Sequence, residues 1–333
     1  MARALLLRAL RALLTAWLIA SAVFLLSRRL AGGSPQLLPD EQTAAFGHLA
    51  TAEAQFRTRL GLQQPLFYCR LLPLQWYGTS NQYHTWLLEL GRGQLGNSFR
   101  DGGAVTGHLR QALGVTLPLA GSALLLAATL ALVLAPWAAR HPGWYRRLVP
   151  AAYLFDTLPL FVVALLLLSL LANPDALPLF PAFGLPAEAS GSPSTQAYHL
   201  VLPVLTLTLS ALPALFIPFV AALRSHWQQP YVATARAKGA PLARISWQHV
   251  LPNAAPVFIT RLSDLMPGVV AGTVVVEVVF ALPGMGRLLA EAAAARDLPV
   301  LVGGVLLIAA VRLLGWLLAD ALNTWLDPRF SWS

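Results

Sequence analysis

The chain has 333 residues, 57% of them hydrophobic and only 11% charged, with a mean hydropathy of +0.62. A soluble globular domain carries roughly 25% charged residues, so a soluble multidomain enzyme is excluded: too few charges are present to cover a water-facing surface. The balance is basic, 23 Lys+Arg against 14 Asp+Glu, but the cations lie between long apolar runs rather than in one patch, which points to the loops of a membrane protein and away from nucleic acid.

A helix needs roughly 20 apolar residues to cross a bilayer. Six runs qualify: 10–26, 115–137, 148–172, 200–223, 256–280 and 300–322. The N-terminus carries Arg3, Arg8 and Arg11. The first run contains Ala20-Ser21-Ala22, which resembles a cleavage site, but it continues through Leu26 and reads as an uncleaved anchor over 1–30. The stretch 31–114 follows, mixing prolines and glycines with polar residues. It is expected to lie outside the membrane with short helices at 40–60 and 84–90. Its one cysteine, Cys69, is the only one in the chain, so no intrachain disulfide forms.

The loop after span two carries Arg140, Arg146 and Arg147, and the loop after span four carries Arg224, Arg236, Lys238 and Arg244. The loop after span three has no Lys or Arg. Positive loops stay inside, so both termini are expected in the cytoplasm, with a cytoplasmic tail at 324–333. The seven histidines are scattered without ligand spacing, and no metal site is expected.

Within the core region 115–323, the loop 224–255 is the most informative. Its segment 230–252 reads PYVATARAKGAPLARISWQHVLP. Pro230 suits a first helical turn, Tyr231–Lys238 are good helix formers, and Gly239 stops the run. A second helical piece starts near Leu242 after Pro241. Two short helices around a glycine make a rigid knob able to fit a partner's groove, and its cations also suit anionic lipid head groups. A basic loop that only sets topology accounts for the same residues equally well.

This loop resembles the cytoplasmic loop of ABC importer permeases, Glu-Ala-Ala, three residues, Gly, nine residues, Ile, one residue, Leu-Pro. Aligned on Gly239, Ala233-Thr234-Ala235 stand at Glu-Ala-Ala, His249 at Ile, and Leu251-Pro252 at Leu-Pro. The version Tyr231-Val232-x-Thr234-Ala235-Arg236-Ala237-Lys238-Gly239 is similar to that of the dipeptide/oligopeptide/nickel subfamily. The resemblance extends along the chain: Leu60-Gly61-Leu62 with Pro65, Gly93-Gln94-Leu95-Gly96-Asn97-Ser98, His199 to Pro203, Val274-Val275-Val276-Glu277 with Phe280, Pro283-Gly284-x-Gly286-Arg287-Leu288, and Asp327-Pro328-Arg329. Gly32-Gly33-Ser34-Pro35 departs from the subfamily's Pro-Gly-Asp-Pro.

The resemblance implies an all-α integral membrane protein with the type I ABC importer permease fold. It implies a transport subunit in the bacterial inner membrane, moving peptides or a similar small solute, nickel included, by alternating access. The implied partners are a second permease, two cytoplasmic ATPases and an external binding protein. ATP and Mg would be bound by the ATPases, with no cofactor in this chain. The residues agree: a phosphate-binding Walker loop needs a Gly-Lys-Ser/Thr lysine, and the chain's only lysine, Lys238, stands in a different context.

Tyr231, Thr234, Ala235, Lys238, Gly239, Pro241, Leu251 and Pro252 are the expected coupling loop, with Tyr231, Ala235 and Gly239 as contact face and hinge. Glu277, Phe280, Pro283, Gly284 and Gly286 are the expected external gate or docking surface; a local structural carboxylate is an equal reading of Glu277. Charges inside spans are costly and read as functional: Asp156 and Asp320 as interior contacts near the cytoplasmic face, and Asp264 with Arg312 as a pair across spans five and six. A stand-alone secondary transporter or channel would need inverted repeats, which the sequence lacks; a non-transporting membrane assembly protein is the remaining alternative.

Overall fold

A computed structural model describes residues 2–31, 64–71, 74–184 and 193–326. The described secondary structure is almost entirely helical. In chain order it consists of α1 (Ala2–Ala31), a hairpin of β1 (Cys69–Leu71) and β2 (Leu74–Trp76), α2 (Gln82–Gly91), α3 (Val105–Arg140), α4 (Pro142–Thr157), α5 (Leu160–Leu171), α6 (Pro193–Trp227), α7 (Pro230–Ala237), α8 (Leu242–Ile245), a π-helical turn (Ser246–Val250), α9 (Leu251–Val279), α10 (Met285–Ala294) and α11 (Leu298–Leu326).

Among the described residues, three helical stretches are long and apolar enough to cross a membrane unbroken: Val105–Arg140, Thr195–Trp227 and Leu298–Gly315. Two further helix pairs are long and apolar enough only when taken together, and each is bent. The run expected as a straight third span breaks between α4 and α5, which meet at 108°. Pro159 is the cause. It has no N–H to continue the helix, and it holds Leu158 before it in extended backbone, φ −79° and ψ 127°. The run expected as span five bends by 47° between Met266 and Gly268, across a proline. In α1 the apolar stretch is Leu13–Leu26.

The chain divides into two compact units, 1–111 with 289–311 and 112–288 with 312–333. In the first, the C-terminal half of α1 carries an aromatic cluster. Phe24 is buried and stacks on Trp86 at 4.6 Å, with Tyr83 edge-on at 5.8 Å, and the Tyr83 hydroxyl meets Ser21 Oγ at 2.7 Å. The helix expected at 84–90 is α2; that expected at 40–60 lies outside the described residues. The antiparallel hairpin pairs Cys69 with Trp76 and was not expected. Fully buried Asn81 caps α2: its Oδ1 accepts from His84 N–H and its Nδ2 donates to Gly78 O, both at 2.8 Å. Asn81→Ala is expected to lose about 1–2 kcal/mol, read as faster proteolysis within 64–91 in an otherwise inserted chain.

In the same unit, Asp297 is buried before α11. Ser98 Oγ donates to its Oδ2 at 2.5 Å and the Phe99 N–H to its Oδ1 at 3.2 Å. The Gly93–Ser98 segment is thereby tied to the start of α11, a link across 199 residues of sequence.

In the second unit α6 is central, packed on by α4, α5 and α9. The inner face of α3 is a stripe of buried alanines, among them Ala127, Ala131, Ala135 and Ala138. They belong to one core with Leu215, Phe219 and Leu223 of α6 and Phe258 of α9. Small residues on one face let helix backbones approach closely.

Candidate functional site

The 230–252 segment folds as two short helices around a glycine. Pro230 starts α7, where its missing N–H has no helical partner to lose. α7 ends in a paired hydrogen-bond closure: Gly239 N–H donates to Arg236 O at 2.9 Å and Ala240 N–H to Ala235 O at 3.1 Å. This requires the left-handed conformation at Gly239, whose φ is +77°. Pro241 then caps α8 in extended backbone. The π turn carries the chain into α9.

The knob is anchored by Val232, Ile245 and Val250, all buried in the alanine-stripe core. Tyr231 and Ala235 are half-buried and pack against the same core. The expectation that these two form the contact face is therefore corrected: on a helix, 231, 232 and 235 share one face, and here it faces inward. The outward face of the knob is Ala233, Thr234, Ala237 and Lys238, continued by Leu242 and Trp247, which are 49% and 71% exposed. Gly239, Pro241 and Pro252 are also exposed and Leu251 is half-buried. Trp247 was not singled out from the sequence; an aromatic in a polar loop was its only signal.

Tyr231 joins three elements. Its hydroxyl meets His226 Nδ1 of α6 at 3.0 Å, and its ring lies 6.5 Å from that of His249 in the π turn. Burial pushes its phenol pKa up, so it stays a neutral hydrogen-bonding group.

The second arrangement is the turn between α9 and α10. Glu277 is fully buried. Thr116 Oγ1 of α3 donates to its Oε1 at 2.6 Å, and the Gly286 and Arg287 N–H groups donate to its Oε2 at 2.6 and 3.3 Å. The Met285 N–H donates to Thr116 Oγ1 at 2.8 Å. The first three N–H groups of α10 thus find acceptors on two other helices, and a carboxylate stands at its positive end.

The glycines make this approach possible. A Cβ at Gly284 would stand 2.6 Å from Glu277 Oε2 and nearer still to its carboxyl carbon; one at Gly286 would stand 2.7 Å from Val274 Cβ. Phe280 is buried in a second core with Leu119, Leu202 and Leu282. Of the five residues expected as an external docking surface, only Pro283 is exposed. Glu277 acts instead as a helix cap, because a carboxylate surrounded by N–H donors is held where it is satisfied.

Asp264 and Arg312, expected as a pair, are not joined to each other. Asp264 and Arg261 are exposed on α9 and Arg312 on α11, and among the described residues no ion pair joins Asp264 to Arg312. Asp156, expected as an interior contact, is exposed at the end of α4, beside the 108° break that swings its helix away from α5. Asp320 lies on α11, its side chain outside the described set. Among the described residues no group of His, Cys, Asp and Glu is arranged to hold a metal ion.

Residues 127–332 match the family described as the binding-protein-dependent transport system inner membrane component. The chain belongs to this family. The permease is 30% identical over 92% of its length to the probable D,D-dipeptide transport system permease protein DdpB of Escherichia coli, covering 91% of that protein. It is 29% identical over 75% of its length to the oligopeptide transport system permease protein AppB of Bacillus subtilis, covering 80% of it. Its fold matches a chain in an inward-facing structure of the MetNI methionine ABC transporter, with a TM-score of 0.53 at 16% identity, over 67% of the permease and 97% of that chain.

The protein is a multi-pass ABC importer permease of the peptide subfamily. It carries no ATP site of its own. Hydrolysis belongs to separate ATPase partners, and a substrate-binding protein serves the family in general.

Proposed function

We propose that this permease moves peptides or peptide-like solutes inward by alternating access, paired with a second, similar permease and driven by two ATPases docked on the 230–252 knob. The topology of this reading has six spans, with α1 and the two bent helices counted, and both termini inside. Peptide cargo is supported by what the relatives in Escherichia coli and Bacillus subtilis are named for.

The observation that carries the coupling role is the construction of the knob. One face is fused to the span core through Val232, Ile245 and Val250, and the other offers an exposed tryptophan and small residues. A partner pushing on such a knob moves α3, α6 and α9 together, because interdigitated cores transmit displacement rather than absorb it. Small residues at 233, 234 and 237 allow close approach of a groove.

The test replaces Gly239 by valine. A β-branched side chain at a left-handed position costs about 1–2 kcal/mol or more, and a Cβ there meets no neighbour, so the damage is confined to the α7–α8 turn. ATP-dependent uptake is expected to fall several-fold while the amount inserted in the membrane is unchanged. Unchanged uptake would refute the coupling role. Solute conduction by the purified chain without ATP would favour a stand-alone channel instead.

A further inference from the structure

The arginines at one end of the second unit are engaged in an unusual way. Arg140 ends α3, and its guanidinium lies 5.9 Å from the Trp227 ring; Arg236 of α7 lies 5.8 Å from the same ring. Arg224, in the last turn of α6, stacks 3.8 Å from the Tyr145 ring of α4, and Arg147 lies 5.9 Å from the Trp144 ring.

Stacking uses the face of a guanidinium and leaves its N–H edge free, up to five donors in a planar fork. Among the described residues, no carboxylate and no hydrogen-bond acceptor engages Arg140, Arg147, Arg224 or Arg236. The sequence offers none nearby: 138–155 and 224–255 contain no Asp or Glu. Two of these cations share one indole, and among the described residues no anion offsets their mutual repulsion.

The surroundings identify the anion's source. Arg140 and Arg224 lie at the ends of membrane-spanning helices, and Trp137 and Trp144, their rings 4.4 Å apart and each about two-fifths exposed, mark the depth at which aromatic side chains meet head groups.

We infer that the ends of α3, α4, α6 and α7 form a site for the phosphate of an anionic phospholipid, held by the free edges of Arg140, Arg224 and Arg236. Aromatic stacking orients the forks for bidentate phosphate contact. A headgroup bridging Arg140 and Arg236 also ties α7 to the end of α3. This site is independent of the coupling role proposed above.

The test uses the full-length permease in phosphatidylcholine vesicles, with spin-labelled phosphatidylglycerol or spin-labelled phosphatidylcholine as the probe. Phosphatidylglycerol is expected to associate more strongly, with about a fivefold loss for each of Arg140→Gln and Arg224→Gln. Arg140→Lys should retain most of the preference. Trp227→Leu, which keeps every charge but removes the shared ring, should weaken it measurably.

Equal association of the two lipids with the unmodified protein would overturn the assignment. So would Gln variants that keep the preference, or displacement of the lipid by inorganic phosphate beyond that by chloride at equal ionic strength, which would make the site one for a soluble phosphate. If the Gln variants keep the lipid preference and instead release the ATPase subunits, the patch is a protein-docking face and the lipid site is refuted.

Discussion

Gly284→Ala is expected to destabilise the permease by on the order of 3–5 kcal/mol, the range for breaking a buried charged contact. The added methyl occupies the position of the Glu277 carboxyl. The carboxylate is fully buried, and Thr116, Gly286 and Arg287 hold both its oxygens. If it moves, the Gly286 and Arg287 N–H groups, the Thr116 hydroxyl and the carboxylate itself lose their partners in an apolar setting, each costing about 1–3 kcal/mol or more. A domain's total stability is about 5–15 kcal/mol, so the variant should show a large drop in thermal unfolding temperature in detergent and a low level in the membrane. Glu277→Gln separates cap from charge. The amide oxygen can still accept from Gly286 and Arg287, so a milder loss, about 1–2 kcal/mol, is expected. Unaltered stability of Gly284→Ala would show that the close approach is dispensable.

Trp247→Ala should have the opposite profile. The side chain is 71% exposed, and exposed substitutions usually shift stability by no more than about 0.5 kcal/mol. As the anchor of a docked knob it is expected to contribute at least about 2 kcal/mol to ATPase binding, which is about 30-fold in affinity. Co-purified ATPase should fall by that order while unfolding temperature and membrane level hold. Val232→Ala, on the buried face of the same helix, is expected to lose stability instead. If Trp247→Ala binds ATPase like the unmodified chain, the outward face of the knob is not the docking face.

Much of this was readable in the sequence. Apolar runs longer than a bilayer is thick mark spans without any knowledge of their packing. Gly239 announced the end of α7 because a left-handed residue after a helical run favours glycine on steric grounds alone. The family was readable from short motifs kept in order along the chain, and the comparisons bear that reading out. Pro159 lies inside the apolar run 148–172, where hydropathy counts length and not helix continuity; the structure shows a full break.

Facing was less accessible. Tyr231 and Ala235 looked like contact residues because small and aromatic side chains suit interfaces, yet the same properties suit a tight core, and only the position of α6 and α9 settles which side of α7 is covered. Glu277 shows the limit most plainly. Hydropathy alone establishes that a carboxylate near the end of an apolar helix is costly and must be satisfied. Its partners are Thr116, 161 residues away, and the backbone of a turn whose glycines clear the space. By itself the sequence determined the membrane class, the family and the local starts and stops of helices, since these depend on composition and short-range sterics. Which polar groups are buried, which face of the knob is free, and which helix Glu277 caps were decided by tertiary structure, because those contacts join residues that no local periodicity connects.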